Sequence, residues 1–378
     1  MNTNPRRYVS SALTTAVFIL ILVGMLVPMM LFSLDWKEAV GPRQWTFPQD
    51  HGSHPKYRTE WWYFTGNLTD INGHKYGYQL TFFRHGLAIE PKLPGNPWSV
   101  RDVYFAHFAI TDISGSVFYY ADRASRQGPG LAGSKEGSMD VHVLNWSAKM
   151  KNGTIDVQAT HGGMEVALRL APAKPPVLHG LRGLSKKGPG KGQASYYYSF
   201  TNLKTKGRIR VPGMTGAADV SGTSWFDQEF GSNQLTKDQA GWDWFAIHLS
   251  DGRDLMIYYL RRKDGAIEKD SSGTLVEPDG TYRHLSLNDI DMTVLGWWES
   301  KKSAGRYPAK WRINVPDATI DVTITPTVAD QELITTGSTA ITYWEGAVEG
   351  GGVSRDREVA VQGYVELTGY AGVLGGIF

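Results

Sequence analysis

Two carboxylates one residue apart sit inside an aromatic run, Trp225-Phe226-Asp227-Gln228-Glu229-Phe230, and carry the clearest chemical potential of the chain. In an extended segment Asp227 and Glu229 share a face, with Gln228 turned the other way. Desolvation by apolar neighbours raises a carboxyl pKa, and ring faces stabilise positive charge. A protonated acid beside a wall that tolerates a carbocation is what adding water across a C=C bond requires. The same two residues also suit an anchoring role, pairing with an arginine such as Arg253 or accepting backbone hydrogen bonds. The sequence leaves both readings open.

Other acids have similar surroundings. Asp243 lies between Trp242 and Trp244, Glu60 precedes Trp61 and Trp62, Glu345 follows Tyr343-Trp344, and Glu366 follows Tyr364-Val365. Each reads either as a ligand-facing acid or as a buried acceptor for indole N–H groups and turns. His107 and His248 sit in aromatic strands within reach of a cavity, or as satisfied interior histidines. The candidate ligand-contacting set is therefore Trp61, Trp62, Tyr63, His107, Trp225, Trp242, Asp243, Trp244, Glu345 and Tyr364, with Asp227 and Glu229 as candidate catalytic carboxyls.

Several chemistries find no support. There is no cysteine, no His-Glu-x-x-His and no Gly-x-Ser-x-Gly elbow, so neither a metal nor a cofactor is expected, and no hydrolase nucleophile is visible. His51 and His54 fall in a segment read as a linker. A formal net charge of +2 gives no footprint for nucleic acid. The Lys186-Lys187-Gly188-Pro189-Gly190-Lys191 stretch lies in a Pro- and Gly-rich segment, Ala171 to Ala194, expected as a long exposed loop suited to solvent or anionic lipid headgroups.

The elements that must position these residues come in two copies. Glu60-Trp61-Trp62-Tyr63-Phe64-Thr65-Gly66-Asn67-Leu68-Thr69-Asp70 reappears as Gly241-Trp242-Asp243-Trp244-Phe245-Ala246-Ile247-His248-Leu249-Ser250-Asp251, each followed by an aromatic strand ending in arginine, Arg84 or Arg261. Abundant glycine and aromatic residues with no long amphipathic helix, apart from a weak signal around Lys237, indicate an all-β chain. Strands are expected over Tyr57 to Leu68, Tyr76 to Arg84 and Val103 to Asp112, with Asn72-Gly73 as the first turn. In the third, Tyr104, Phe108 and Ile110 share one face while Phe105, His107 and Thr111 share the other, so both faces should be covered. The expected organisation is a membrane anchor and its cytoplasmic tip over 1–35, a linker over 36–55, one barrel over 56–230 and a second over 231–378.

Ser11 to Leu34 carries no charge and is long enough to cross a bilayer, with Arg6 and Arg7 before it and Asp35 after. By the positive-inside rule the N-terminus is expected in the cytoplasm and the barrels on the far side of an inner membrane, in the periplasm, held by an uncleaved anchor. No Ala-x-Ala site follows the run.

The Glu60-Trp61-Trp62-Tyr63 phrase, Ser224 to Ser232, Gly241 to Phe245, Asp251 to Met256 and Tyr343 to Val348 together resemble the carotenoid hydratase and AttH family, which includes hydroxyneurosporene synthase and proteins called predicted secreted hydrolases. The resemblance runs from about His54 to Tyr370. It implies a pair of lipocalin-like antiparallel barrels, with fungal pericyclases as distant relatives. It also implies a carotenoid, isoprenoid or other lipid as ligand, and an ABC-type permease or other membrane complex as partner. Three functions follow as expectations: binding and transfer of an apolar ligand, favoured by the anchor; hydration of an isoprenoid double bond by Asp227 and Glu229; and a non-catalytic assembly role.

Overall fold

The repeated phrase becomes the opening strand of each of two curled antiparallel sheets. The computed structural model describes residues 35–233 and 235–372. The apolar run 11–34, expected as the membrane anchor, lies outside the described residues; among those described, no helix is long and apolar enough to cross a membrane.

Among the described residues the first sheet has thirteen strands between Thr59 and Gly231 and the second has ten between Gln239 and Thr368. The repeat extends to topology. In the first sheet the opening strand Thr59–Asp70 pairs with Lys75–Gly86 on one side and with the sheet's last strand, Ala218–Gly231, on the other. In the second, Gln239–Leu249 likewise pairs with Asp254–Arg262 and with the last strand, Arg357–Thr368. Joining first strand to last curls each sheet into a near-barrel, with every strand pair antiparallel.

Alternation then decides what each face meets. Trp62, Phe64, Tyr78, Leu80, Phe82, Tyr104, Phe108 and Phe226 point into the first near-barrel and pack as one buried core. Phe245, Ile247, Ile257, Trp311, Ile313 and Trp344 do the same in the second. The outward faces of the same strands carry a third cluster, in which Tyr63, Tyr197 and Trp225 of the first sheet pack on Trp244, Met256, Tyr258 and Leu260 of the second. The two sheets thus bury aromatic surface against each other as well as inside themselves. His107 and Thr111, on the outer face of Asp102–Asp112, are buried under groups of the second sheet, Tyr343 and Gln331.

Three expectations are corrected. The segment 36–55 is packed on the first sheet: Trp45 stacks on Phe47, His51 Nδ1 meets the Tyr198 hydroxyl at 2.7 Å, and His54 stacks on Phe230 with ring centroids 3.6 Å apart while bonding Glu60. Aromatic residues spaced without strand period give no sequence signal, yet they bury. Ala171 to Ala194 is not an exposed loop either. Val177–Leu178 and Leu184–Lys186 pair with the long strand Ala194–Arg210, and His179 and Lys187 are buried. The residues around Lys237 form a turn. A further strand, Thr342–Ser354, runs straight through Gly350-Gly351-Gly352. A Cβ on Gly350 or Gly352 would collide with the carbonyls of Thr323 and Asp321 on the neighbouring strand, so glycine here permits close approach.

Candidate functional site

The cavity richest in chemistry lies between the sheets. Trp61, Tyr63, Thr81, Phe83, Lys187, Tyr197, Asp227 and Glu229 line it from the first sheet, and Trp242, Trp244, Tyr258, Leu260 and Glu366 from the second, with Leu235 between. The repeat builds its walls: aligned residues Trp61 and Trp242 both face it, as do Tyr63 and Trp244. The space open to the centre of a water-sized sphere is about 80 Å³, several waters' worth. That accommodates a ring or an isoprene-sized group in place, and not a whole carotenoid.

Asp227 is held by three donors. Tyr197 Oη donates to Oδ2 at 2.7 Å, Trp225 Nε1 donates to Oδ1 at 2.6 Å, and the Ser199 hydroxyl also donates to Oδ1. Tyr197 in turn accepts from Trp244 Nε1 at 3.0 Å, so a residue of the second sheet orients the acid of the first. Burial nevertheless outweighs the donors and, with the Glu229 charge nearby, pushes the Asp227 carboxyl up to about 7.

Glu366 is the counterpart from the second repeat. Across the first sheet's pair of first and last strands Tyr63 stands opposite Asp227; across the second's, Trp244, aligned with Tyr63, stands opposite Glu366. Duplication therefore delivers one carboxyl from each sheet to the same cavity. Among the described residues Glu366 accepts from Trp242 Nε1 at 2.8 Å, and burial together with the charges of Asp227 and Glu229 raises it to about 7. Its cross-strand neighbour Glu345 is buried deeper, and burial plus the charge of Glu366 drives its carboxyl well above the ordinary range.

Glu229 shares the cavity face with Asp227 but is tied to a cation, Lys187 Nζ at 2.9 Å, and accepts from the Ser195 hydroxyl. Burial pulls the Lys187 ammonium down, but the charge of Glu229, with that of Tyr258, overcomes it and leaves the pKa raised; the ammonium also lies over the Tyr258 ring, 4.2 Å from its centroid. The anchoring partner is thus Lys187 rather than Arg253, whose guanidinium is engaged by Asp251, Ser354 and the Ala318 carbonyl.

The other sequence candidates are placed as follows. Trp61, Tyr63, Trp242 and Trp244 line the cavity, and Trp225 acts on it through Asp227. Trp62 points into the core of the first sheet, because neighbours in a strand face opposite ways. Asp243 turns away for the same reason and pairs with Arg261 at 2.8 Å and the Tyr370 hydroxyl at 2.9 Å; Glu60 likewise holds His54 and Arg84. Tyr364 lies deeper in the intersheet layer, where Gly77 leaves room for its hydroxyl. His107 and Glu345 are adjacent to the cavity without lining it. His248 bonds Asp254 at 2.8 Å. Among the described residues no group of three or more His, Asp or Glu side chains is arranged to hold a metal ion. Tyr197 and Tyr258 carry no signal in the sequence, and Lys187, read there as part of an exposed basic loop, is brought inward by strand pairing.

The raised carboxyls make a pH prediction. Asp227 and Glu366 keep protons in the folded protein between about pH 4 and 7, where the unfolded chain has released them. Their contribution to stability is therefore full at the acid end and is lost as pH rises through about 7. Glu366→Gln removes one such group, so its melting temperature should gain on that of the native protein between pH 5 and pH 8, roughly the window of the shift. A difference independent of pH would show that Glu366 titrates normally.

Two near-barrels with an acid-bearing aromatic cavity between them define a protein of lipocalin-like fold. The chain belongs to the AttH-like family, whose model matches residues 38–370. It is similar to a putative AttH from Nitrosomonas europaea, at 31% identity and TM-score 0.78 over 88% of this chain and 99% of that one. It shares its fold with kievitone hydratase from Nectria haematococca, at 16% identity and TM-score 0.66 over 89% and 96% of the two chains. It also shares it with CghA in complex with Sch210972, at 13% identity and TM-score 0.52 over 84% and 90%. No curated protein matches the chain.

Proposed function

We propose that the intersheet cavity adds water to, or removes it from, a C=C-bearing apolar group, with Glu366 as the acid and Asp227 as the base. The observation that carries this reading is the pair of carboxyls held near pH 7 against one aromatic cavity. Glu366, which among the described residues accepts from one indole N–H, can present its proton; Asp227, fixed by three donors, is oriented to receive one. In hydration, the Glu366 proton forms a new C–H bond with the alkene and the π electrons leave the neighbouring carbon positive. The rings of Trp61, Trp242 and Trp244 stabilise that cation. Water forms the C–O bond and gives its proton to Asp227, so alkene plus water becomes alcohol, and transfer of the proton from Asp227 to Glu366 resets the site. The structural likeness to a kievitone hydratase supports the reaction class.

With this goes the proposal that residues 11–34 anchor the domain at a membrane, where apolar substrates partition, beside an ABC-type permease or similar complex. The small cavity favours a substrate that inserts one unsaturated end. The test is to incubate the full chain, purified in mild detergent, with a panel of isoprenoid and prenylated compounds in ¹⁸O-water. Products heavier by one labelled water are expected. Compounds that bind without gaining water at any pH from 5 to 8, about the range spanned by the raised carboxyls, would replace hydration by ligand binding.

A further inference from the structure

Behind the cavity a chain of side chains crosses from the second sheet to the first and out again. Tyr343 Oη lies 2.8 Å from His107 Nδ1, His107 Nε2 lies 3.0 Å from Ser338 Oγ, and Ser338 Oγ donates to Asp122 Oδ2 at 2.7 Å. Asp122 is half-exposed, whereas His107 and Tyr343 are buried. The outer carboxylate fixes every direction. Because Ser338 spends its only proton on Asp122, it must accept from His107 Nε2–H. The ring's Nδ1 is then the acceptor, and Tyr343 donates to it. Thr339 Oγ1, 3.4 Å from Nε2, offers only a long side branch to Thr335.

The inner end is equally constrained. His107 and Tyr343 share a cavity of about 10 Å³, room for one water, with Glu366, Phe83 and Trp242. Glu345 lies two residues along the strand from Tyr343, on the same face and fully buried. Neither of its oxygens has a well-formed hydrogen bond among the described residues. The hydroxyls of Tyr63 and Tyr343 both lie against the Glu345 carboxyl, and Tyr343 Oη, its own proton committed to His107, is placed to accept the Glu345 proton.

We propose that Tyr343, His107 and Ser338 form a proton path joining the buried acid Glu345 to Asp122 at the surface. In one passage Glu345 gives its proton to Tyr343, Tyr343 gives its own to His107 Nδ1, His107 releases the Nε2 proton to Ser338, and Ser338 releases its proton to Asp122. Only O–H and N–H bonds change, and one proton moves from the acid to the surface; the reverse order reloads the site. Burial keeps His107 neutral, down to about 3, so the ring always has one donor and one acceptor nitrogen. The purpose of the path rests on the acid–base reading above, because Glu345 is the cross-strand neighbour of Glu366 and its charge bears on that acid; its test does not.

The test follows the C=O stretch of the buried neutral carboxyl by infrared spectroscopy, assigned by its loss in Glu345→Gln, after rapid transfer to D₂O. In the native protein the band should shift promptly. In His107→Phe and in Ser338→Val, which puts a methyl where the hydroxyl stood, the shift should slow by about tenfold or more, because exchange then waits for local opening. Ser338→Val leaves the buried core intact and decides the matter if the His107 variant does not fold. Exchange as fast as native in the folded variants would overturn the path. Slowed exchange in a protein that hydrates nothing would keep the path and remove only the hydration reading.

Discussion

Glu366→Gln is expected to lower kcat by roughly 10²- to 10⁴-fold, the usual contribution of a positioned acid. Glutamine has nearly the same shape and still accepts from Trp242 Nε1 through its carbonyl oxygen, so the cavity wall should persist. What it lacks is the proton. Ligand affinity should therefore stay within about threefold of native, which separates loss of transition-state stabilisation from loss of binding. A variant retaining most of the native kcat would remove Glu366 from the chemistry.

Lys187→Met should destabilise the protein by about 3–5 kcal/mol, the cost of leaving a buried charge without its partner. Lys187 and Glu229 are both largely hidden from solvent, at 9% and 7% side-chain exposure, and the ammonium also lies over Tyr258. Removing the lysine leaves Glu229 accepting from the Ser195 hydroxyl, with Asp227 nearby. The double variant Lys187→Met, Glu229→Gln should recover most of the loss, because an amide needs no counterion. Chemical denaturation of the three proteins checks this. A single variant within about 1 kcal/mol of native would mean that water screens the pair as it does a surface ion pair.

What was legible in the sequence follows from two periodicities. The repeat of the opening phrase announced two related β units, and the shared face of Asp227 and Glu229 follows from strand alternation. The same alternation shows why Trp61 and Trp62, or Trp242 and Asp243, cannot both face one cavity, which sequence neighbourhood alone had suggested. Lys187 was hidden because nothing local marks Leu184–Lys186 as pairing with Ala194–Arg210. The near-barrels are filled by their own cores, so the site lies between them, and its second acid depends on the register that sets Trp244 opposite Glu366. That register joins residues more than a hundred positions apart. The packing of 36–55 was equally invisible, since its aromatic residues follow no strand period.

Pairing of duplicated sheets explains how an inward-looking fold obtains a reactive cavity. Each near-barrel stabilises itself with its inner face and contributes one carboxyl and its tryptophans from the outer face. Neither sheet alone would desolvate Asp227 or Glu366.

The central claim is that these two carboxyls are held together near neutrality. ¹³C-detected titration of the Asp and Glu side-chain carboxyls, assigned with Asp227→Asn and Glu366→Gln, measures it directly. Two midpoints near 7, each absent from its own variant, are predicted. Midpoints for both groups below about 5, the range of ordinary carboxyls, would contradict it.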